Sequence, residues 1–312
     1  MPLISVVIPT YNGSSLLMQT LETVFSQTFT DFEVVIINDG STDDTADRLA
    51  ALGDRVRVIT QANAGIGAAR NRGIDEARGR YVALLDHDDL WMPEKLAVQA
   101  EFMAANPDAV GCAVPWAFSS TPTVPTCGPE VCDARGIIQR PFHHLARGIM
   151  LMFSSAILFD KEKARGLRYE TRPMCIEDLP FQVGLLARGP FGIAGKEILM
   201  IYRVHERNFS RQAAYFYNGQ KLLRQLEREG RFDELQGQSR DDLREFLASA
   251  GRVCAARQIL GGYRLRGLRL YFSELPHQLA RMRLRFLLSY PILLALPTRV
   301  ARRFFPGDGI VY

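Results

Sequence analysis

The chain has 312 residues, 47% of them hydrophobic and 23% charged, with a formal net charge of +4. That is enough apolar material for a sizeable core, and the composition is that of a globular protein rather than a disordered or fibrous one. So small a net charge argues for no nucleic-acid partner, and no run reaches the ~18–20 apolar residues that a bilayer span requires. The five cysteines, Cys112, Cys127, Cys132, Cys175 and Cys254, form no CxxC pair, and the opening MPLISVVIPTYNG carries no signal-peptide pattern. They read as reduced thiols of a cytoplasmic protein.

In chain order, LISVVIPT (3–10), EVVIIN (33–38), VRVIT (56–60) and YVALLD (81–86) read as short buried strands rich in Val and Ile. Between them SSLLMQTLETVFSQ, TDDTADRLAAL and IGAARNRGIDEA have helical patterns, two of them opening after Gly13 and Gly65. This alternation predicts an α/β fold, a mostly parallel sheet with helices on both faces. Ligands in such folds bind beyond the carboxyl ends of the strands. PTYN, NDGSTDD and DHDD all fall there. Residues 119–136, with three prolines, read as a long loop. LMFSSAILF (151–159) reads as a strand, a helix opens near Asp178, and ILMIYRVH (198–205) is strand-like. From about residue 214 the pattern is helical. The charge shift near 211 divides the chain into a catalytic-type domain, 1–210, and a helical, basic C-terminal region, 211–312.

Phosphate loops are poorly matched. GIGAAR (65–70) has Arg70 where a third glycine belongs and does not follow the first strand, and PTYNGSS lacks GK[ST], which argues against dinucleotide binding. NDGSTDD is explained either as a turn with a Ser or Thr helix cap or as a strand end that offers Asp39 to a nucleobase N–H. In YVALLDHDDLW, Asp89 as a helix cap would account for one carboxylate of three. A divalent cation, Mn²⁺ or Mg²⁺, completed by substrate phosphates accounts for the cluster better. A phosphatase DxDx[TV] loop would end the first strand and would not carry Leu90.

Taken together, ISVVIPTYNG, VVIINDGSTDDT, NAGIGAARNRGIDEARGRYVALLDHDD and IEDLPFQ, in that order and spacing, resemble the family 2 glycosyltransferases of the GT-A fold over about residues 3–210. The resemblance implies transfer of a sugar from a nucleotide-sugar, usually a UDP-sugar, with inversion at the anomeric carbon. Carried over by position, it puts Pro9, Tyr11 and Asn12 in the nucleotide pocket, Asp39 on the base and Arg70 in the block closing over the donor. Asp86 would serve ribose or metal, and Asp88 would be the main metal ligand. Asp178 would be the general base. Its competing role is a helix cap, since Pro180 follows two residues on, and a helix N-terminus would lower its pKa. Arg203 or His205, in YRVH, would neutralise the departing diphosphate, with His205 alternatively a third metal ligand. The acceptor would be a hydroxyl of a glycan or lipid-linked glycan, in bacterial surface-polysaccharide synthesis. A nucleotidyltransferase would want a cation in the loop after the first strand, which PTYNGSS lacks. A catalytically silent sugar-nucleotide-binding module would be expected to have lost DHDD or Glu177-Asp178.

The segment 261–312 carries nine arginines against Glu274 and Asp308. Within it, the tail 268–305 reads either as a helix packed on the catalytic domain or as a peripheral contact with the inner face of a membrane.

Overall fold

The computed structural model of the chain describes residues 1–119, 136–147, 153–172, 176–205, 213–233, 235–280, 288, 290–292 and 295–296. All seven residues of β1 (Ile4–Thr10) are buried, as a central strand rich in Val and Ile requires. β2 (Phe32–Asn38), β3 (Arg57–Thr60) and β4 (Tyr81–Leu84) run parallel to it in the order β3-β2-β1-β4. α1 (Ser14–Phe25), α2 (Thr45–Ala50) and α3 (Ile66–Glu76) are their crossovers. α3 lies hard against β1: a Cβ on Gly73 would stand 2.2 Å from Val7 Cγ1. Only a glycine lets the helix approach that far.

The chain continues through β5 (Leu90–Trp91), α4 (Lys95–Ala105), β6 (Gly111–Ala113), β7 (Trp116–Phe118), β8 (Gly136–Ile137) and α5 (Pro141–Ala146). β9 (Ile157–Asp160), α6 (Leu179–Ala187), β10 (Phe191–Ile193) and β11 (Met200–Tyr202) follow. The main sheet has eight strands in the order β3-β2-β1-β4-β9-β6-β10-β8, and a second sheet runs β5-β11-β7. The expected mostly parallel α/β sheet is present. Its departures are β9, antiparallel to both β4 and β6, and β8, antiparallel to β10. The strand expected over 151–159 is shorter at its start: Ser154–Ala156 is a 3₁₀ turn, β9 begins at Ile157, and residues 151–152 lie outside the described residues, as does most of the loop expected over 119–136. Because β9 runs backwards, its first residues come to the edge where β4 ends, and Asp86 N–H donates to Ser155 Oγ at 3.0 Å.

The chain forms two compact units. One comprises Met1–Pro141, Met150–Pro173 and Glu177–His205; the other comprises Phe142–Ile149, Met174–Ile176 and Glu206–Tyr312. Within the second, α7 (Ala213–Arg228), α8 (Gly237–Leu260) and α9 (Arg264–Leu279) are joined by a buried charge. Glu274 on α9 has no exposed surface and accepts bonds from Arg224 Nη2 at 2.5 Å and Gln220 Nε2 at 2.7 Å. Gly251 on α8 leaves it room, since a Cβ there would lie 2.4 Å from the carboxyl carbon. A desolvated ion pair stabilises little by itself, but removing one partner strands the other, so it fixes how the helices align. Cys112 and Cys254 are buried free thiols, and Cys127, Cys132 and Cys175 lie outside the described residues.

Candidate active site

The loops at the carboxyl ends of β1, β2 and β4 meet as expected. Asn12 turns the chain with a positive φ of 48°, a conformation that Asn tolerates better than most residues. Its side-chain oxygen accepts Thr42 N–H at 2.7 Å, and its own N–H donates to Ser41 Oγ at 3.1 Å. Pro9 is buried in β1 and Tyr11 is exposed at the loop tip. The His87 ring lies against Gly13, where a Cβ would come within 2.5 Å of it. Asp39, expected on a nucleobase, is buried and bonded within the protein: it accepts Gln61 Nε2 at 2.7 Å and the N–H groups of Ala64 and Gly65, each at 2.9 Å. It thereby anchors the stretch 61–65 that leads into α3.

Each carboxylate of the DHDD loop has a different environment. Asp89 is buried and does not cap α4; its Oδ2 accepts Ser155 Oγ at 2.5 Å and its Oδ1 accepts Arg203 N–H at 3.2 Å. The start of α4 is satisfied instead from the turn that follows α1, where Gln27 Oε1 accepts Leu96 N–H at 3.0 Å. Burial, then the neighbouring charges of Asp88 and Asp86, push the Asp89 carboxyl well above the usual range, against the opposing bonds from Ser155 and Arg203. Thr20 of α1 donates its hydroxyl to the carbonyls of His87 and Asp89. Arg203, expected at the departing diphosphate, turns its guanidinium to the Asp88 carbonyl, the Leu16 carbonyl, Gln19 and Thr20. Here it braces the acidic loop against α1.

Asp86 belongs to a second cluster. Arg70 on α3 is buried and bridges two acids, Asp86 Oδ1 at 2.6 Å and Glu177 Oε1 at 2.8 Å. Those acids hold its guanidinium charged in spite of burial. Its Nε is buried without a hydrogen-bond partner, and its guanidinium stands 5.1 Å from the centre of the Tyr169 ring. Gly67, one turn earlier, admits the backbone of 170: a Cβ there would fall 1.9 Å from the Glu170 carbonyl oxygen. Asp178 adjoins Glu177 at the N-cap position of α6, yet its side chain caps no helix N–H, and Gln182 Nε2 donates to its Oδ2 at 3.2 Å. The lowering expected from the helix terminus is outweighed. Burial first, and the Glu177 charge next, push the carboxyl up to about 7, with Arg70 pulling the other way.

Asp88 faces His205, with Oδ2 and Nε2 2.8 Å apart and both side chains partly open to solvent. One carboxylate oxygen and one imidazole nitrogen converging in this way fit a divalent cation of the manganese type better than magnesium, which favours oxygen alone. Among the described residues no three acidic, histidine or cysteine side chains converge on one point, so Asp86 does not complete a triad with them. A cation held by Asp88 and His205 would draw its remaining ligands from a bound diphosphate or water.

The profile of glycosyl transferase family 2 matches residues 5–165, a little over half of the chain. The chain belongs to glycosyl transferase family 2. Among related sequences, the putative teichuronic acid biosynthesis glycosyltransferase TuaG of Bacillus subtilis is 41% identical over 106 residues, covering 33% of this chain and 42% of TuaG. The match spans less than half the length of such curated relatives. Two solved structures share the fold. TarS 1–349 of S. aureus in complex with UDP-GlcNAc superposes with a TM-score of 0.60 at 17% identity, covering 88% of this chain and 90% of that one. The mannosyltransferase PcManGT of Pyrobaculum calidifontis, in complex with GDP-Man and Mn²⁺, gives 0.57 at 15% identity, covering 98% and 88%. The family 2 domain thus has the GT-A sheet, and it brings Asp86, Arg70, Glu177 and Asp178 into one cluster and Asp88 and His205 into another.

Sequence reasoning missed Ser155, Thr20 and Gln61, which hold Asp89, the DHDD backbone and Asp39. No motif marks them, because each bonds a residue 22 to 69 positions away in the chain. The partnership of Arg70 with Glu177 had one available signal, a lone arginine on the face of α3 that otherwise carries Gly67, Ala69, Gly73 and Ile74.

Proposed function

We propose that this chain transfers a sugar from a nucleotide-diphosphate sugar, a UDP-sugar in the first instance, to a hydroxyl of a surface glycan or its lipid-linked precursor, in one displacement with inversion. The observation that carries the reading is the buried Arg70 bridge, which ties Asp86 on the donor-side loop to Glu177 beside Asp178. Asp178 is the general base: its carboxyl combines partial exposure with a proton affinity matched to neutral pH. It accepts the acceptor's proton as that oxygen attacks the anomeric carbon, and the nucleotide leaves from the opposite face. Asp88 and His205 would hold a divalent cation, which when bound neutralises charge on the leaving diphosphate. Arg203 orients that loop through the Asp88 carbonyl rather than meeting the donor itself. Asp39, with Pro9, Tyr11 and Asn12, would form the nucleoside end of the site. UDP-GlcNAc in TarS supports the donor class, and the putative part of TuaG in teichuronic acid biosynthesis supports the glycan setting. The Mn²⁺ bound with GDP-Man in PcManGT supports the choice of metal. No described helix is long and apolar enough to cross a membrane, so contact with a lipid-linked acceptor would be peripheral.

The test is Asp178→Asn assayed against UDP-sugars. Turnover is expected to fall by roughly 10²–10⁴-fold with donor affinity unchanged, because the lost interaction is made in the transition state. Asp88→Asn is expected to remove Mn²⁺-dependent donor binding in a thermal-shift titration. Collapse of donor affinity in Asp178→Asn would make that residue structural and refute the assignment.

A further inference from the structure

α9 carries apolar side chains on two sides, one buried and one open. Gly267, Leu270, Tyr271, Glu274 and Gln278 are buried in its own unit, where Gln278 Nε2 donates to the Ala248 carbonyl at 2.7 Å. The opposite face is left open. Leu265 is 72% exposed, Leu268 36%, Phe272 59% and Leu279 52%, and Leu275 lies between the last two with part of its surface free. These five residues recur at intervals of three, four, three and four, so they form one continuous stripe along the helix. Scattered exposed leucines need no explanation, but a stripe of this length asks for a partner.

The charges around the stripe decide what kind of partner. Arg269, exposed, and Arg264, half-buried with an N–H donating to the Leu296 carbonyl, flank it five residues apart, the spacing at which residues of two parallel paired helices oppose each other. A second copy would therefore set arginine against arginine. The remaining flanking positions hold Tyr271, Pro276 and Gln278, so no acid is available to relieve the repulsion. The helix's only acid, Glu274, is bonded to Arg224 on the buried face. Near the start of the helix, Arg266 stacks 5.0 Å from the ring centre of Tyr263, whose side chain is half open to solvent. Exposed Leu and Phe, a Tyr at one end and a rim of arginine match a helix lying in the plane of a membrane interface, with apolar side chains in the acyl boundary and guanidinium groups among phosphates.

We propose that the outer face of α9 docks this enzyme on the surface of a bilayer containing anionic lipid. At 16 residues the helix extends about 24 Å, too short and too charged to cross. Docking gives a physical form to the peripheral contact of the proposed function. Its test involves no sugar donor, so either reading can fail while the other stands.

The experiment is co-sedimentation of the full chain with vesicles of phosphatidylcholine alone and of phosphatidylcholine mixed with phosphatidylglycerol, at low and high salt. The full chain is expected to pellet with the mixed vesicles at low salt, to remain soluble with phosphatidylcholine alone, and to be released by salt. The double variant Leu268→Glu, Phe272→Glu is expected to stay in the supernatant, with a circular-dichroism melt matching wild type to show that it folds. Arg269→Gln, which leaves the apolar stripe intact, is expected to bind about fivefold more weakly, the factor equivalent to about 1 kcal/mol per arginine at an anionic surface. Failure of the full chain to pellet at low salt would overturn the proposal. So would undiminished binding by the folded double variant, or a concentration-dependent dimer on gel filtration that this variant abolishes.

Discussion

Asp178 keeps a proton near neutrality because its surroundings remove water and add the Glu177 charge faster than Arg70 can compensate. A general base must be ionised to act. As pH falls through about 7 the ionised fraction declines, so kcat/KM is expected to drop about tenfold per pH unit below that point and to level off above it. The profile is measured over the acid limb with donor below saturation, and a limb centred near pH 4 would mean that Asp178 does not act as the base. At this scale the sequence was informative about identity and poor about environment. Residues 86, 88, 178 and 205 could be singled out because they stand in ordered motifs. Their partners are side chains distant in sequence, Arg70 for Asp86 and His205 for Asp88, which local pattern does not encode. The same distance explains why the helix terminus was expected to lower the Asp178 pKa when burial raises it.

The elements themselves were the most legible part of the chain. β1, β2 and β3 carry short runs of Val and Ile, and β4 is the apolar run YVAL, each between turn residues, a pattern that tertiary contacts reinforce. β5, β8 and β10 have only two or three residues each, too few for periodicity to register, and β9 is antiparallel for reasons of topology rather than composition. α3 illustrates a conflict between local preference and packing. In an isolated helix Gly67→Ala would stabilise by about 1 kcal/mol. Here the added Cβ would meet the Glu170 carbonyl oxygen at 1.9 Å, a backbone atom with little freedom to retreat. The clash outweighs propensity, and Gly67→Ala is expected to destabilise the protein by roughly 1–3 kcal/mol in urea denaturation. An unchanged or raised midpoint would mean that residues 169–171 move aside freely.

Across the whole molecule, one buried cation governs stability near neutral pH. Lys95 is completely buried under the Trp91 ring, 3.8 Å from its centre, with its ammonium donating to Gln99 Oε1 at 2.7 Å. Burial lowers its pKa to about 7, whereas in the unfolded chain it remains near 10.5. Between those values the unfolded state binds the extra proton, so stability rises with pH from about 7 upward. Above about 9 the buried Cys112 thiol, raised to about 12, opposes this, because the unfolded thiol then ionises first. From about pH 7 to 9, wild type is expected to gain about 2 kcal/mol relative to Lys95→Met, read as the difference between their denaturation curves. Parallel curves would show that Lys95 stays charged in the fold. The long-range assembly around the acidic loop also has a consequence in time. A ribosome that has reached residue 89 has made all three aspartates, but not Ser155, Arg203 or His205, which hold Asp89 and Asp88. At about 5–20 residues per second, the last of these follows on the order of ten seconds later. Until then the nascent chain carries the loop as ordinary hydrated carboxylates, and the unfavourable burial of Asp89 is deferred until both of its hydrogen-bond donors have been synthesised.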